Sequence, residues 1–184
     1  RHCDPFRILG IREQDGKWIG RVFRPDAGKV EIILDGKKAS PQALKRLDQE
    51  GLFEGEIEGF KAGTGYSLEL TNHEGAKWRQ RDPYSFGPVL GEMDIYLFNE
   101  GTHYDIYKKL GAHVKVIDDV PGVHFAVWAP SAQRVSVVGD FNNWDGRIHP
   151  MRKLTPSGVW EIFLPGVHEG SHYKFEIRSG VGDV

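Results

Sequence analysis

Residues 124–140 read HFAVWAPSAQRVSVVGD, and residues 19–35 read IGRVFRPDAGKVEIILD. Laid on their prolines the two stretches coincide. Pro25 meets Pro130 at an offset of 130 − 25 = 105, and at that offset Val30 meets Val135, Ile32 meets Val137 and Phe23 meets Trp128. Farther on, GLFEGEIEG (51–59) meets GVWEIFLPG (158–166), and Tyr66-Ser67-Leu68-Glu69-Leu70 meets Tyr173-Lys174-Phe175-Glu176-Ile177, now at 173 − 66 = 107. A period of roughly 100 residues containing several short strands has the size of an immunoglobulin-like β-sandwich. Two repeats are too few to stack as a solenoid, so each has to bury a core of its own.

The local pattern agrees. Val123, Phe125 and Val127 alternate onto one strand face, as do Trp160, Ile162 and Leu164, and Tyr173, Phe175 and Ile177. The segments between them are rich in Gly, Pro, Asn and Asp, the residues of tight turns. The expected fold is all-β: two tandem immunoglobulin-like β-sandwiches joined by a short helical linker. The expected boundaries are 1–90 for the first sandwich, 91–114 for the linker and 115–184 for the second, which reads as truncated at its C-terminus. In the linker, GEMDIYLFNEG (91–101) places Met93, Tyr96 and Leu97 at helical spacing. Thr102 is positioned to cap a further turn through Asp105–Leu110, which Gly111 ends. Ser40-Pro41 before ALKRL predicts one more helix start.

Composition narrows the function. The chain has 184 residues, 39% hydrophobic and 27% charged, with 24 basic against 26 acidic side chains. That balance lacks the basic excess that a phosphate backbone demands, which argues against a nucleic-acid partner. No apolar run approaches the roughly 20 residues that span a bilayer, so no membrane partner is expected. A single cysteine, Cys3, forms no internal disulfide and fits a reducing compartment. The chain opens on Arg1 rather than Met and stops at Val184 just after a strand, so both ends read as cut from a longer protein.

The chemistry-bearing cluster is Gly139-Asp140-Phe141-Asn142-Asn143-Trp144-Asp145-Gly146, directly after a strand. Asn, Asp and Gly make a tight hydrogen-bonded turn. Trp144 falls outside the alternation of any strand. Two roles fit it: a plug for the end of the sandwich, together with Phe141, or an exposed platform on which the C–H face of a sugar ring packs while its hydroxyls bond to neighbouring amides and charges. Phe141 is read as core. Lys174 and Glu176 alternate away from Tyr173, Phe175 and Ile177 onto the solvated face, where Lys174 is either a plain strand lysine or a donor to a sugar hydroxyl. Asn142, Asn143 and Arg147 are binding candidates by proximity. Trp128, Trp160 and Tyr173, with counterparts Phe23, Phe53 and Tyr66, are read as core. His168 and His172 sit in a Gly-rich hairpin without a cysteine or carboxylate cluster, so no metal is expected. No nucleotide fingerprint, nucleophile elbow or paired carboxylates placed for acid–base work occur, so neither a cofactor nor catalysis by this chain is expected.

The stretches GVHFAVWAPSAQRVSVVGDFNNWDGRIHPMR and GVWEIFLPGVHEGSHYKFEI resemble the carbohydrate-binding module that precedes the catalytic barrel of starch- and glycogen-modifying enzymes. HCDPFRILGI (2–11), RDPYSFGP (81–88) and LFNEGTHYDIYKKLGAH (97–113) resemble the extra N-terminal domain and linker of long-form bacterial glycogen branching enzymes. The resemblance covers essentially the whole chain. It implies α-glucan (glycogen, maltooligosaccharides) as ligand, a downstream (β/α)₈ barrel of the same polypeptide that transfers α-1,4 chains into α-1,6 branches, no cofactor, and a cytoplasmic setting. It also implies that this chain alone lacks the catalytic residues. Trp144 matches an aromatic that stacks on glucan in the related module of an energy-sensing kinase's β subunit, and Lys174 matches a lysine that contacts sugar there. That relative uses a second tryptophan after the YKF strand, where this chain has Ser179-Gly180-Val181-Gly182-Asp183-Val184. The corresponding corner of the first repeat, LDGKK (34–38), has no tryptophan. Two alternatives remain at this level: purely structural domains that set transferred-chain length by packing on the barrel, and a regulatory glycogen-binding subunit.

Overall fold

The alternation around Phe125 becomes, in the computed structural model, a strand covered on both faces rather than one. The structure describes residues 4–36, 40–180 and the backbone of 182–183. It divides into two compact units, Phe6–Ser85 and Phe86 onward.

The first unit holds β1 (Gly10–Gln14), β2 (Lys17–Phe23), β3 (Ala27–Leu34), β4 (Gln42–Ala43), β5 (Lys45–Arg46), β6 (Leu52–Glu56), β7 (Tyr66–Asn72) and β8 (Lys77–Arg81). All pairings are antiparallel, in two sheets ordered β1-β2-β6-β5 and β4-β3-β7-β8. The register Val30↔Leu70 and Ile32↔Leu68 turns those four side chains onto Ile11, Val22 and Phe53 of the facing sheet. The helix expected over ALKRL does not form. Leu44 is buried, and its N–H donates to Val30 O at 2.9 Å. The chain therefore pairs with β3 through β4, plants Leu44 in the core and switches to the other sheet as β5. Tertiary pairing overrides the helical propensity of Ala, Leu, Lys and Arg there.

The second unit repeats this frame with β9 (Gly111–Ile117), β10 (Val120–Trp128), β11 (Ala132–Gly139), β12 (Arg152–Leu154), β13 (Val159–Pro165), β14 (Tyr173–Ser179) and β15 (Gly182–Asp183), in sheets ordered β12-β13-β10-β9 and β11-β14-β15. The offsets hold in three dimensions: β3 and β11 start at Ala27 and Ala132, β6 and β13 at Leu52 and Val159, β7 and β14 at Tyr66 and Tyr173. One tight contact is repeated as well. Arg24 N–H donates to Gly51 O at 2.8 Å, and Ala129 N–H to Gly158 O at 3.0 Å. Both glycines are left-handed (φ 107° and 74°), and a Cβ on either would lie 2.5 or 2.7 Å from the Cα of Pro25 or Pro130. The Pro and Gly that anchored the alignment are thus one interlocked pair in each sandwich.

The expected linker helix is present as α1 (Glu92–Asn99), followed by a 3-10 turn at Ile106–Lys108. Thr102 does not cap that turn; Asp105 sits at its N-terminus, and the Thr102 hydroxyl donates back to Leu97 O. The expected boundary at 114/115 falls inside β9, since Gly111–Val114 already pair with Val123–Ala126. Residues from Phe86 on cluster with the second sandwich. Ile95, Phe98 and Leu110 pack with buried Leu90 on Ala126 and Val159, on the face of β10 and β13 turned away from the facing sheet. Both strands are consequently buried on both sides. Glu161 is 1% exposed. Its two carboxylate oxygens accept the N–H groups of Val89 and Leu90, each at 3.0 Å, and His124 Nε2 lies 2.9 Å from Oε2.

Among the residues read as core, Trp160 is fully buried and Tyr173 half-buried, but Trp128 is 55% exposed. Trp128 has the opposite parity to Phe125 and Val127, at the last position of β10. It lies edge-on to Phe98 of the linker and donates its indole N–H to Ser157 O. Among the described residues no helix is long and apolar enough to cross a membrane, and no group of three or more His, Cys, Asp and Glu side chains converges.

Candidate functional site

The corner after β11 is built by Asn142. The residue is 3% exposed. Its Oδ1 accepts Gly139 N–H at 2.9 Å, while Nδ2 donates to Val137 O at 2.8 Å and lies 2.9 Å from His149 Nδ1. Asn142 was a candidate sugar contact; its amide is instead consumed in tying both ends of the corner together. Phe141 is half-buried against Phe125 and His149, the core role expected of it. His149, Pro150 and Met151 then run alongside β11: Val137 N–H donates to His149 O, and Met151 N–H to Val135 O.

Between these anchors the backbone turns left-handed at two successive residues, Asn143 (φ 53°) and Trp144 (φ 60°). Asn tolerates that conformation; for an indole-bearing residue it costs about 1–2 kcal/mol. The surrounding hydrogen bonds hold it: Trp144 N–H donates to Gly139 O and Asp145 N–H to Asn142 O, both at 3.1 Å. The result is an indole that leaves the core. Trp144 is 45% exposed. Its Nε1–H donates to Asp140 Oδ1 at 3.1 Å, and the other Asp140 oxygen lies 3.2 Å from His172 Nδ1. The ring is therefore held at its polar edge and remains partly exposed.

Beside it lies a concavity of about 510 Å³, lined by Asn143, Trp144, Asp145 and Arg147 and by Arg134, Glu176 and Arg178 from β11 and β14. Arg147 clamps Asp145, with Nε 3.0 Å from Oδ1 and Nη2 2.8 Å from Oδ2, and these hydrogen bonds hold the Asp145 carboxyl below the usual carboxylate range. Arg134 pairs with Glu176. Lys174 is exposed, sits opposite Val138 on β14, and shares its strand face with Glu176 and Arg178. The structure thus groups Trp144, Asn143 and Arg147 around one concavity. Lys174 lies one alternation along the same strand face, and Asn142 sits beneath the surface. Sequence reasoning passed over Asp140, which orients the indole, and Arg134, whose parity with Ser136 and Val138 was the available signal.

Two family models match the chain. Residues 109–183 match carbohydrate-binding module 48 (isoamylase N-terminal domain), and residues 1–84 match the N-terminal domain of alpha-1,4-glucan branching enzyme GlgB. Fold and matches together define a pair of immunoglobulin-like sandwiches, the second a module of family 48. The relatives make this more particular. The chain is 49% identical over 190 residues to the 1,4-alpha-glucan branching enzyme GlgB of Rhodospirillum rubrum, covering 100% of this chain and 25% of that protein. It is 46% identical over 183 residues to that of Paramagnetospirillum magneticum, covering 99% and 24%. The chain belongs to the 1,4-alpha-glucan branching enzyme family as its N-terminal region, and spans about a quarter of the length of the curated relatives it matches.

Proposed function

We propose that this chain is the non-catalytic glucan-binding and positioning part of a cytoplasmic glycogen branching enzyme, whose downstream barrel transfers α-1,4 chains into α-1,6 branches. The surface around Trp144 is the glucan contact, with Lys174, Asn143 and Arg147 as polar contacts and Asn142 as the residue that builds the corner. The observation that carries this reading is the Trp144 indole, tethered through its N–H to Asp140 yet 45% exposed on a backbone bent to present it. One stacked ring contributes about 0.5–1.5 kcal/mol beyond its area burial, judged from aromatic pairs. With a few exposed hydrogen bonds, that gives a dissociation constant on the order of 1 mM, about −4 kcal/mol. Weak binding suffices on a polymer with many chains when the module is tethered to an enzyme.

The test is affinity electrophoresis in glycogen and calorimetric titration with maltoheptaose. Trp144→Ala is expected to weaken binding about three- to tenfold, the loss of one stacking contact, with unchanged thermal stability. Unchanged affinity removes Trp144 from the site. For the first sandwich a structural, chain-length-setting role fits better. Its concavity at the matching corner is lined by Leu34, Asp35, Gly36 and Ser40 with Gln42 and Glu58, without an aromatic ring. Lys37–Ala39 of that corner lie outside the described residues.

A further inference from the structure

The two repeats carry the same aspartate at the same place and use it differently. Asp35 and Asp140 are counterparts at the offset of 105, and Gly65 and His172 at the offset of 107. One backbone bond is repeated between them: Asp35 N–H donates to Gly65 O at 2.8 Å, and Asp140 N–H to His172 O at 3.4 Å. In the first unit the carboxylate lies over Gly65, where a Cβ would meet Asp35 Oδ2 at 2.2 Å. Residue 172 carries a side chain, so its own Cβ takes that place and the Asp140 carboxylate points elsewhere. One of its oxygens accepts the Trp144 indole N–H at 3.1 Å, and the other lies 3.2 Å from His172 Nδ1.

Gly139 makes this approach possible. A Cβ there would lie 2.3 Å from His172 O and 2.6 Å from Phe141 Cε1. The backbone itself therefore holds His172 within reach of Asp140. The Trp144 backbone is left-handed and fixes where the side chain starts. An indole has a single N–H to donate, so the bond to Asp140 is what fixes its polar edge. Asp140 and His172 are both exposed, and solvent protons reach them. The other charged groups nearby are Lys174, two residues on along the same strand side, and His168 and Glu169 in the turn before. Asp145 is clamped by Arg147, Glu176 pairs with Arg134, and His149 is buried behind Phe141.

We propose that Asp140 is the positioning residue of the Trp144 contact, and that His172 braces it in its protonated form. This rests on Trp144 being the glucan contact. An imidazolium donates from both ring nitrogens, whereas a neutral ring donates from one. Protonated His172 therefore ties down one Asp140 oxygen through a charge-assisted bond and keeps the other on the indole. Deprotonation loosens the brace and with it the ring. Glucan affinity consequently rises as the pH falls from about 8 to about 5, where histidine changes charge.

The test follows the Trp144 indole N–H resonance of the 184-residue chain across that pH range, without glucan, alongside titration with maltoheptaose. The resonance is expected to shift with one histidine titration in the wild type and to stay flat in His172→Gln. Asp140→Ala is expected to speed solvent exchange of the indole N–H and to weaken glucan binding, each about two- to fivefold, the loss of one exposed hydrogen bond. Asp140→Asn keeps an oxygen for the indole, so it is expected to restore exchange protection and affinity while abolishing the pH dependence. Wild-type exchange and affinity in Asp140→Ala overturn the inference, and so does a titration that persists in His172→Gln. Unchanged affinity in Trp144→Ala removes the glucan contact itself, and the indole resonance, read without glucan, tells that failure from a failure of the Asp140 brace.

Discussion

The two sandwiches share a frame and differ at their surfaces. From β3 to β7 and from β11 to β14 the strands keep the same order and the same cross-strand contacts. Leu44 N–H on Val30 O in one is Met151 N–H on Val135 O in the other. The offset is 105 at the latter pair's acceptors and 107 at their donors, so the two additional residues of the second repeat fall within the corner that carries Trp144. The outer sheet face differs as well. Glu54 pairs with Arg21 at a partly exposed surface, whereas its counterpart Glu161 is buried beneath the linker. The packing frame is common to both repeats, and the second departs from the first by one lengthened turn and one covered face.

The sharpest way to break the shared-frame view is through its paired core rings. Phe53 and Trp160 are counterparts, 1% and 0% exposed. Phe53→Ala and Trp160→Ala are each expected to cost about 3–5 kcal/mol in chemical denaturation. Trp160 stands at the upper end because its indole N–H also bonds Ala129 O. Unequal losses, with one variant near wild type, would mean the two cores are not equivalent. Next comes the glutamate pair. Glu161→Ala leaves the Val89 and Leu90 N–H groups and His124 without their acceptor, and a loss of about 3 kcal/mol is expected. Glu54→Ala is expected to cost under about 1 kcal/mol, as exposed ion pairs do. Faster exchange at Val89 and Leu90 in the first variant locates the damage in the segment before α1.

The corner offers a smaller effect that separates scaffold from contact. Asn142→Ala removes three hydrogen bonds to groups buried with it, for about 1–3 kcal/mol. It is expected to weaken glucan binding along with stability, whereas Trp144→Ala touches binding alone. Equal affinity of Asn142→Ala and wild type would show that the corner does not need this amide to present the indole.

The frame was legible because it rests on periodicities: alternation marked the strands, and the Pro–Gly interlock fixed the offset. Three features were not. The switch of sheets at Leu44 was hidden because ALKRL has helical composition and only the partner strands decide otherwise. The covered outer face was hidden because VWEIFLP alternates acceptably, and the burial of Glu161 depends on backbone groups some 70 residues earlier in sequence. At the site, composition announced an Asn-rich turn, but which amide points inward depends on two left-handed residues that no local pattern specifies. Asn142 and Asn143 are adjacent and chemically identical, yet one is scaffold and the other surface.

The smallest expected effect opposes one aspartate from each repeat. Burial raises the Asp82 carboxyl above its ordinary value, against the opposing pull of the Tyr66 hydrogen bond, whereas hydrogen bonds from Arg147 lower Asp145. The signs follow from linkage. The fold favours protonated Asp82, so its contribution is present below the ordinary value of 3.8 and is lost as pH rises through the raised folded value. The fold favours ionised Asp145, so its contribution is present above 3.8 and is lost as pH falls through the lowered folded value. Acidification is therefore expected to strengthen the first unit through Asp82 and weaken the second through Asp145. For the partly exposed Asp145 the change is a few tenths of a kcal/mol. The tryptophan indole resonances report the units separately, Trp18 and Trp78 in the first and Trp144 and Trp160 in the second. Denaturation followed at those resonances should show the opposed slopes. Asp82→Asn and Asp145→Asn should each flatten only its own unit's curve; one substitution flattening both would mean that the repeats do not titrate as separate folding units.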